Sequence, residues 1–196
     1  MPATADQTEE ALRLLGASYT RRADGMFVVP HDIKLSYQGI SELPDLSSVI
    51  VKGNFTIAAN NLTSLRGCPR EVEGDFWCHH NLLTSLEGCP SKVGGNFWCH
   101  ENNLTSLAHA PDAVGGYFYC DRNALTSLEG APKTFIQIQS DFGNFKSWDE
   151  VPEKLRHSPE VRREKAEKEA AHETLDRLRK IANEHPVKIK KPALKG

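Results

Sequence analysis

The sequence predicts a repeat solenoid, a stack of parallel β coils, followed by a C-terminal α-helix. Three observations carry this expectation. The segments FTIAANNLTSL (55–65), FWCHHNLLTSL (76–86), FWCHENNLTSL (97–107) and FYCDRNALTSL (118–128) match almost column for column at a step of 21 residues. Each follows the pattern apolar-x-apolar-x-x-Asn-x-Leu-x-x-Leu, which suits a short strand, a turn and a return to the core. After Trp148 the pattern stops and a charged, helix-favouring composition takes over.

The chain opens with DQTEEALRLLGASY (6–19), which reads as a short helix with Glu9 and Glu10 in its first turn and Gly16 as its stop. RRADGMFVVP (21–30) follows as a turn and a strand. Residues 1–32 are thus expected to form an N-terminal helix and capping segment.

Residues 33–152 are expected to form the solenoid. In the four clear coils the columns are Phe55, Phe76, Phe97 and Phe118; then Ile57, Cys78, Cys99 and Cys120; then Asn60, Asn81, Asn102 and Asn123, followed by two leucine columns. The apolar pair forms a strand with one inward face, the Asn turns the chain, and the leucines return it to the core. One such coil cannot bury its apolar face alone, so neighbours must stack. IKLSYQGISEL (33–43), with Gln38 in the Asn column, and IQSDFGNFKSW (138–148), with Ile138, Phe145 and Trp148, read as degenerate outer coils, making six turns in all. A proline column (Pro69, Pro90, Pro111 and Pro132) predicts an irregular convex side without helices. A glycine column (Gly53, Gly74, Gly95 and Gly116) predicts either positive φ or close approach between coils.

Residues 153–185 are expected to be helical, with Ser158 as N-cap and Pro159 at the first helical position. Glu173 with Arg177 and Asp176 with Lys180 are favourable pairs. Leu175, Leu178, Ile181 and Ala182 form only a narrow apolar stripe, so the helix is too polar for full burial. It either lies along the solenoid end or projects to a partner. The remaining residues, 186–196, carry Lys188, Lys190, Lys191 and Lys195 and no acid. A solvated tail, a phosphate- or acid-binding arm, and a segment that orders on a protein partner are all compatible with that composition.

At 196 residues and a formal net charge of -2, the chain has the size of one domain plus an appendage and no overall basic character. Residues 149–196 hold 13 Lys/Arg against 10 Asp/Glu, so the basic excess sits at the C-terminal end. No apolar run reaches the roughly 18–20 residues of a membrane span, and the N-terminus has no signal-peptide pattern. Five cysteines, an odd number, suggest free thiols and a reducing, cytoplasmic compartment.

The coil pattern resembles the leucine-rich repeat over about residues 33–152. Its short period and SELPDL (41–46) resemble the repeats of bacterial effectors of the YopM and IpaH kind. The string LTSLEG-P--VGG-F-C--N is similar to repeats of small bacteriophage-encoded proteins. The resemblance implies a leucine-rich-repeat solenoid and, for the phage type, a location in the host cytoplasm or the virion. The cysteine-dependent ubiquitin ligase domain of the IpaH-like effectors is not implied, because no cysteine follows Trp148.

Strand alternation sorts the chemistry-bearing side chains. In FWCHH, Phe76 and Cys78 point inward while Trp77 and His79 point outward onto the concave face. Cys78 and His79 therefore do not converge on one zinc ion. The outward columns are Trp77, Trp98 and Tyr119, then His79, His100 and Asp121, with His80, Glu101 and Arg122 beside them on the rim. His79, His100 and Asp121 would lie in a line spanning roughly 9–10 Å at strand spacing, which suits no single ion. No metal site and no cofactor are expected, and no catalytic motif such as G-x-S-x-G, a Walker loop, H-E-x-x-H or C-x-x-C is present. These nine residues read instead as a face that binds another protein, with aromatic ladder packing as the purely structural reading. A virion or assembly component docked through the helix and tail is an alternative. Nucleic-acid binding through Lys188, Lys190, Lys191 and Lys195, with aromatics stacking on bases, is another. No membrane and no small-molecule substrate are expected. Repulsion between imidazolium forms of His79, His80 and His100 predicts a change in binding below about pH 6.

Overall fold

The computed structural model describes residues 5–184. The chain forms two units, Met1–His157 and Ser158–Gly196. In chain order the first unit contains α1 (Ala5–Leu14), β1 (Thr20–Arg21), β2 (Phe27–Val29), β3 (Ile33–Lys34), β4 (Val49–Val51), β5 (Phe55–Thr56), β6 (Glu71–Val72) and β7 (Phe76–Trp77). It continues with β8 (Lys92–Val93), β9 (Phe97–Trp98), β10 (Tyr117–Tyr119), β11 (Gln137–Ser140), β12 (Gly143–Phe145), a 3-10 turn (Trp148–Glu150) and α2 (Glu153–Arg156).

These strands build a parallel β-solenoid of about five turns with little helix in it. Most turns supply one short strand to each of two sheets. The longer sheet has the order β3-β5-β7-β9-β10-β11, all parallel, with β12 added antiparallel at the end. The register reproduces the sequence columns: Phe55 pairs with Phe76, Phe76 with Phe97, and Phe97 with Phe118. Those four phenylalanines are wholly buried, together with Ile57, Cys78, Cys99, Cys120, Leu62, Leu83 and Leu104. Each fully buried side chain of this size contributes about 1.5–3 kcal/mol.

The convex side is more regular than its prolines suggest. The segments between coils form a second sheet, in which β2, β4, β6 and β8 run parallel and β1 pairs antiparallel with β2. Bridges at Val93–Val114 and Ala113–Thr134 extend the same stacking. The inward residue of each rung is a valine (Val29, Val51, Val72, Val93 and Val114), all buried. The prolines lie just before these rungs, where no ladder donor is needed.

The Asn column fastens each coil to the one before it. Asn102 Oδ1 accepts from the Leu83 backbone N–H at 3.0 Å, and its Nδ2 donates to the carbonyls of Cys78 and Cys99 at 3.1 and 3.2 Å. Asn81 and Asn123 repeat the arrangement one coil away on each side. The left-handed turn itself falls on the preceding residue: Tyr37, Ala59, His80, Glu101 and Arg122 all have φ between 52° and 61°. The Asn thus closes the turn, and its neighbour makes it.

A second ladder was not anticipated from the sequence. Asp32, Asn54, Asp75 and Asn96 each accept, through Oδ1, the backbone N–H one coil later, from Asn54, Asp75, Asn96 and Tyr117 respectively, at 2.7–2.8 Å. This explains the glycine column by close approach, not positive φ. A β-carbon on Gly53, Gly74, Gly95 or Gly116 would stand 2.2–2.4 Å from the Oδ1 of the preceding coil.

The ends depart from the repeat. Helix α1 buries Thr8 and Leu12 and ends at Leu14, followed by a turn at Gly16, whose φ is 63°. At the other end, residues 138–148 make a hairpin in place of a sixth coil: Ile138 pairs with Phe145 across the antiparallel β11–β12 ladder. Without an Asn to turn the chain, the strand folds back on itself. Leu155 on α2 accepts the Leu128 N–H at 2.7 Å.

The second unit is described by α3 (Pro159–Glu184). Ser158 caps it, its hydroxyl accepting the Val161 N–H at 3.3 Å. The helix expected from residue 153 is thus split, with α2 separated from α3 at His157–Ser158. Asp176 pairs with His172 and Arg179, not with Lys180. Side chains of residues 159–180 are exposed, including Leu175 and Leu178. Among the described residues no helix is long and apolar enough to cross a membrane. Lys188, Lys190, Lys191 and Lys195 lie outside the described residues.

Candidate functional site

The outward positions of β7, β9 and β10 carry Trp77, Trp98 and Tyr119, paired in register on adjacent strands. Trp98 and Tyr119 stack with centroids 4.0 Å apart and planes 20° from parallel. Trp77 meets Trp98 at 6.0 Å in a tilted arrangement and is the most exposed of the three. Tyr117 extends the row, since its ring stacks on Tyr119 at 5.9 Å and it is exposed. The sequence held a signal for it, because residues two apart on a strand share a face. Trp77 Nε1 donates to Asp75 Oδ2 at 3.4 Å, whereas Trp98 Nε1 is buried without a hydrogen-bond partner.

The second row begins where these strands end. His79 and His100 stack with centroids 4.6 Å apart and planes 9° from parallel. His100 is buried, more enclosed than its place in the outward column suggests. Burial is the first cause that lowers the His79 pKa, to about 4, with the charges of His100 and His80 adding to it. Burial also lowers that of His100. Both rings are therefore neutral near pH 7, and the Nδ1 atom of each is buried without a hydrogen-bond partner.

The third row follows the left-handed column. His80 Nδ1 contacts Glu101 Oε2, Glu101 Oε1 contacts an Arg122 guanidinium nitrogen, and Arg122 Nε donates to Asp121 Oδ2 at 3.0 Å. Asp121 is thereby tied to Arg122 at one end of the site. The structure does not gather His79, His100 and Asp121; it gathers His79, His80 and His100. One ring nitrogen from each of these three histidines lies within 4.8 Å of the other two. The sequence reading set His80 beside the His79 column, on the rim, and its φ of 52° folds it toward its neighbours.

The cysteine column belongs to the core. Cys78, Cys99 and Cys120 are buried, and Cys68 is buried as well. Cys89 is intermediate, and burial pushes its thiol up to about 12. All five thiols are free. Their burial keeps them protonated, which disfavours nucleophilic or metal-binding roles.

Fold and surface together define a parallel β-solenoid that presents a row of aromatic rings beside a row of imidazoles. No protein-family model matches the chain, and no curated protein or solved structure is significantly similar to it.

Proposed function

We propose that this chain is a non-enzymatic, leucine-rich-repeat-type binding module that recognises another protein through its aromatic and histidine face. The observation that carries this reading is the row Tyr117, Tyr119, Trp98 and Trp77. These are large rings in register on adjacent strands, with Trp77 and Tyr117 exposed. Aromatic side chains of this kind supply most of the energy of protein interfaces at little cost in side-chain entropy. His79, His100, His80, Glu101, Arg122 and Asp121 supply the polar border.

The resemblance to phage-encoded repeats supports a host protein as target, with the chain as inhibitor or modulator acting in the host cytoplasm. Asp75, Glu101 and Asp121 lie beside the rings, and carboxylates there oppose a nucleic-acid backbone. A protein partner is favoured for that reason.

The test begins with affinity capture from a host lysate and continues with the purified partner. Replacing Trp77 and Trp98 together by alanine is expected to weaken binding at least about tenfold, the effect of losing one interface anchor. Truncation before Pro186 is expected to leave it unchanged. A double variant that stays folded and binds like the parent would reject the face. Loss on truncation alone would favour the tail.

A further inference from the structure

The aromatic row accounts for the tryptophans and tyrosines but not for the histidines beside it. Three imidazoles whose nitrogens lie within 4.8 Å of one another are unusual on a surface with no basic character. Two of them, His79 and His100, each keep a buried Nδ1 with no hydrogen-bond partner. A buried polar atom left unpaired costs about 1–3 kcal/mol, so two of them within one histidine cluster point to something that pairs them.

We propose that His79, His80 and His100 form a binding site for a divalent transition-metal ion of the zinc class, with Glu101 orienting His80. The inference is independent of whether a protein docks on the same face.

Three features support it. Neutral imidazole nitrogen is a ligand for zinc, copper and nickel, and not for calcium or magnesium, which take oxygen. Tetrahedral zinc with Zn–N of about 2.0–2.1 Å places its ligand atoms about 3.4 Å apart, so the three rings need only tilt inward from their present spacing. Finally, Glu101 accepts from His80 at Nδ1, which leaves His80 Nε2 free to ligate. A carboxylate on the far nitrogen of a metal-bound histidine fixes its tautomer and raises its basicity. Three protein ligands leave a fourth position open for water or for a donor from a partner.

The sequence pattern alone sets His80 beside the His79 and His100 column but does not show the three ring nitrogens converging, because even alternation along a strand would send neighbouring side chains to opposite faces. The left-handed turn at His80 breaks the alternation and brings both rings to one side.

The test uses the untagged full chain, stripped with a chelator and titrated with zinc chloride by calorimetry near pH 7.5. Saturable binding of one equivalent is expected, with a Kd of about 1 μM or below. His80→Gln and His100→Gln should each weaken it at least about tenfold, and Glu101→Gln by a smaller factor. His172→Gln, on α3, should change nothing. Copper(II) gives a reading on the unaltered protein. His79 lies 6.2 Å from Trp77 and 6.1 Å from Trp98, ring to ring, so bound copper should quench those two of the three tryptophans at one equivalent. Lack of saturable zinc binding below about 100 μM overturns the proposal, as does undiminished zinc affinity in a folded His79→Gln/His80→Gln/His100→Gln variant.

Discussion

Gly95 sits so close to Asp75 that a β-carbon on the glycine would stand 2.2 Å from Asp75 Oδ1. That oxygen is engaged, accepting the Asn96 N–H at 2.7 Å. Close approach lets a side chain of one coil hold the backbone of the next. The same pairing recurs at Gly53 with Asp32, Gly74 with Asn54 and Gly116 with Asn96.

Gly95→Ala should therefore destabilise the solenoid by about 1–3 kcal/mol through overpacking. Asp75→Ala removes the acceptor and leaves the Asn96 N–H unpaired, at a similar cost of about 1–3 kcal/mol. The double variant should lose less than the two added together, since the side-chain clash disappears with the carboxylate. Urea unfolding of the four proteins measures this, and strictly additive losses would contradict it.

Asn102 makes a sharper case, because donor and acceptor ends of one amide are both used. Asn102→Ala should cost about 1–3 kcal/mol, as the Leu83 N–H loses its acceptor inside the coil, while the Cys78 and Cys99 carbonyls each lose one amide donor and keep those of Asn81 and Asn123. Asn102→Asp keeps the shape yet turns two donated hydrogen bonds into oxygen facing oxygen, so it should be at least as damaging near neutral pH. The comparison is a chemical-denaturation midpoint for each variant. An aspartate as stable as the parent would show that shape and not donation matters there.

The stacked histidines predict a pH dependence in chelator-treated protein. The His79 pKa is pushed down to about 4 from its ordinary 6.5, and that of His100 is lowered too. Between those values the unfolded chain binds more protons than the native one. This contribution to stability is full above about pH 6.5 and lost as pH falls through the window toward 4. The change therefore extends below the pH of about 6 expected for unperturbed imidazoles. Melting temperatures measured between about pH 7 and 4.5 should fall with acidification, and less steeply in His79→Gln. Equal slopes in the two proteins would exclude His79 as a source.

Much of the architecture was legible in the sequence because a stacked coil repeats its environment at a fixed interval. The Phe, Cys, Asn and Leu columns are periodic for that reason, and Phe76, Cys78, Asn81 and Leu83 occupy the inward positions their spacing implies. The helix boundary at Ser158 was legible too, since capping is local. Less was legible wherever a position answers to a neighbouring coil. The valine rungs of the second sheet, the Asx–Gly ladder and the hairpin that replaces a sixth coil all depend on contacts about twenty residues away, or on the lack of a coil to stack on.

The sequence by itself determined the period, the inward columns and the run of outward aromatic rings. Tertiary structure decided which of the outward groups meet. His80 joins His79 and His100 only because its backbone is left-handed and the next coil stacks close beside it. Asp121, which alternation aligned with the histidines, is drawn instead to Arg122. Periodicity tells which face a side chain leaves from, whereas backbone turn geometry and neighbouring charge determine where its last atoms come to rest.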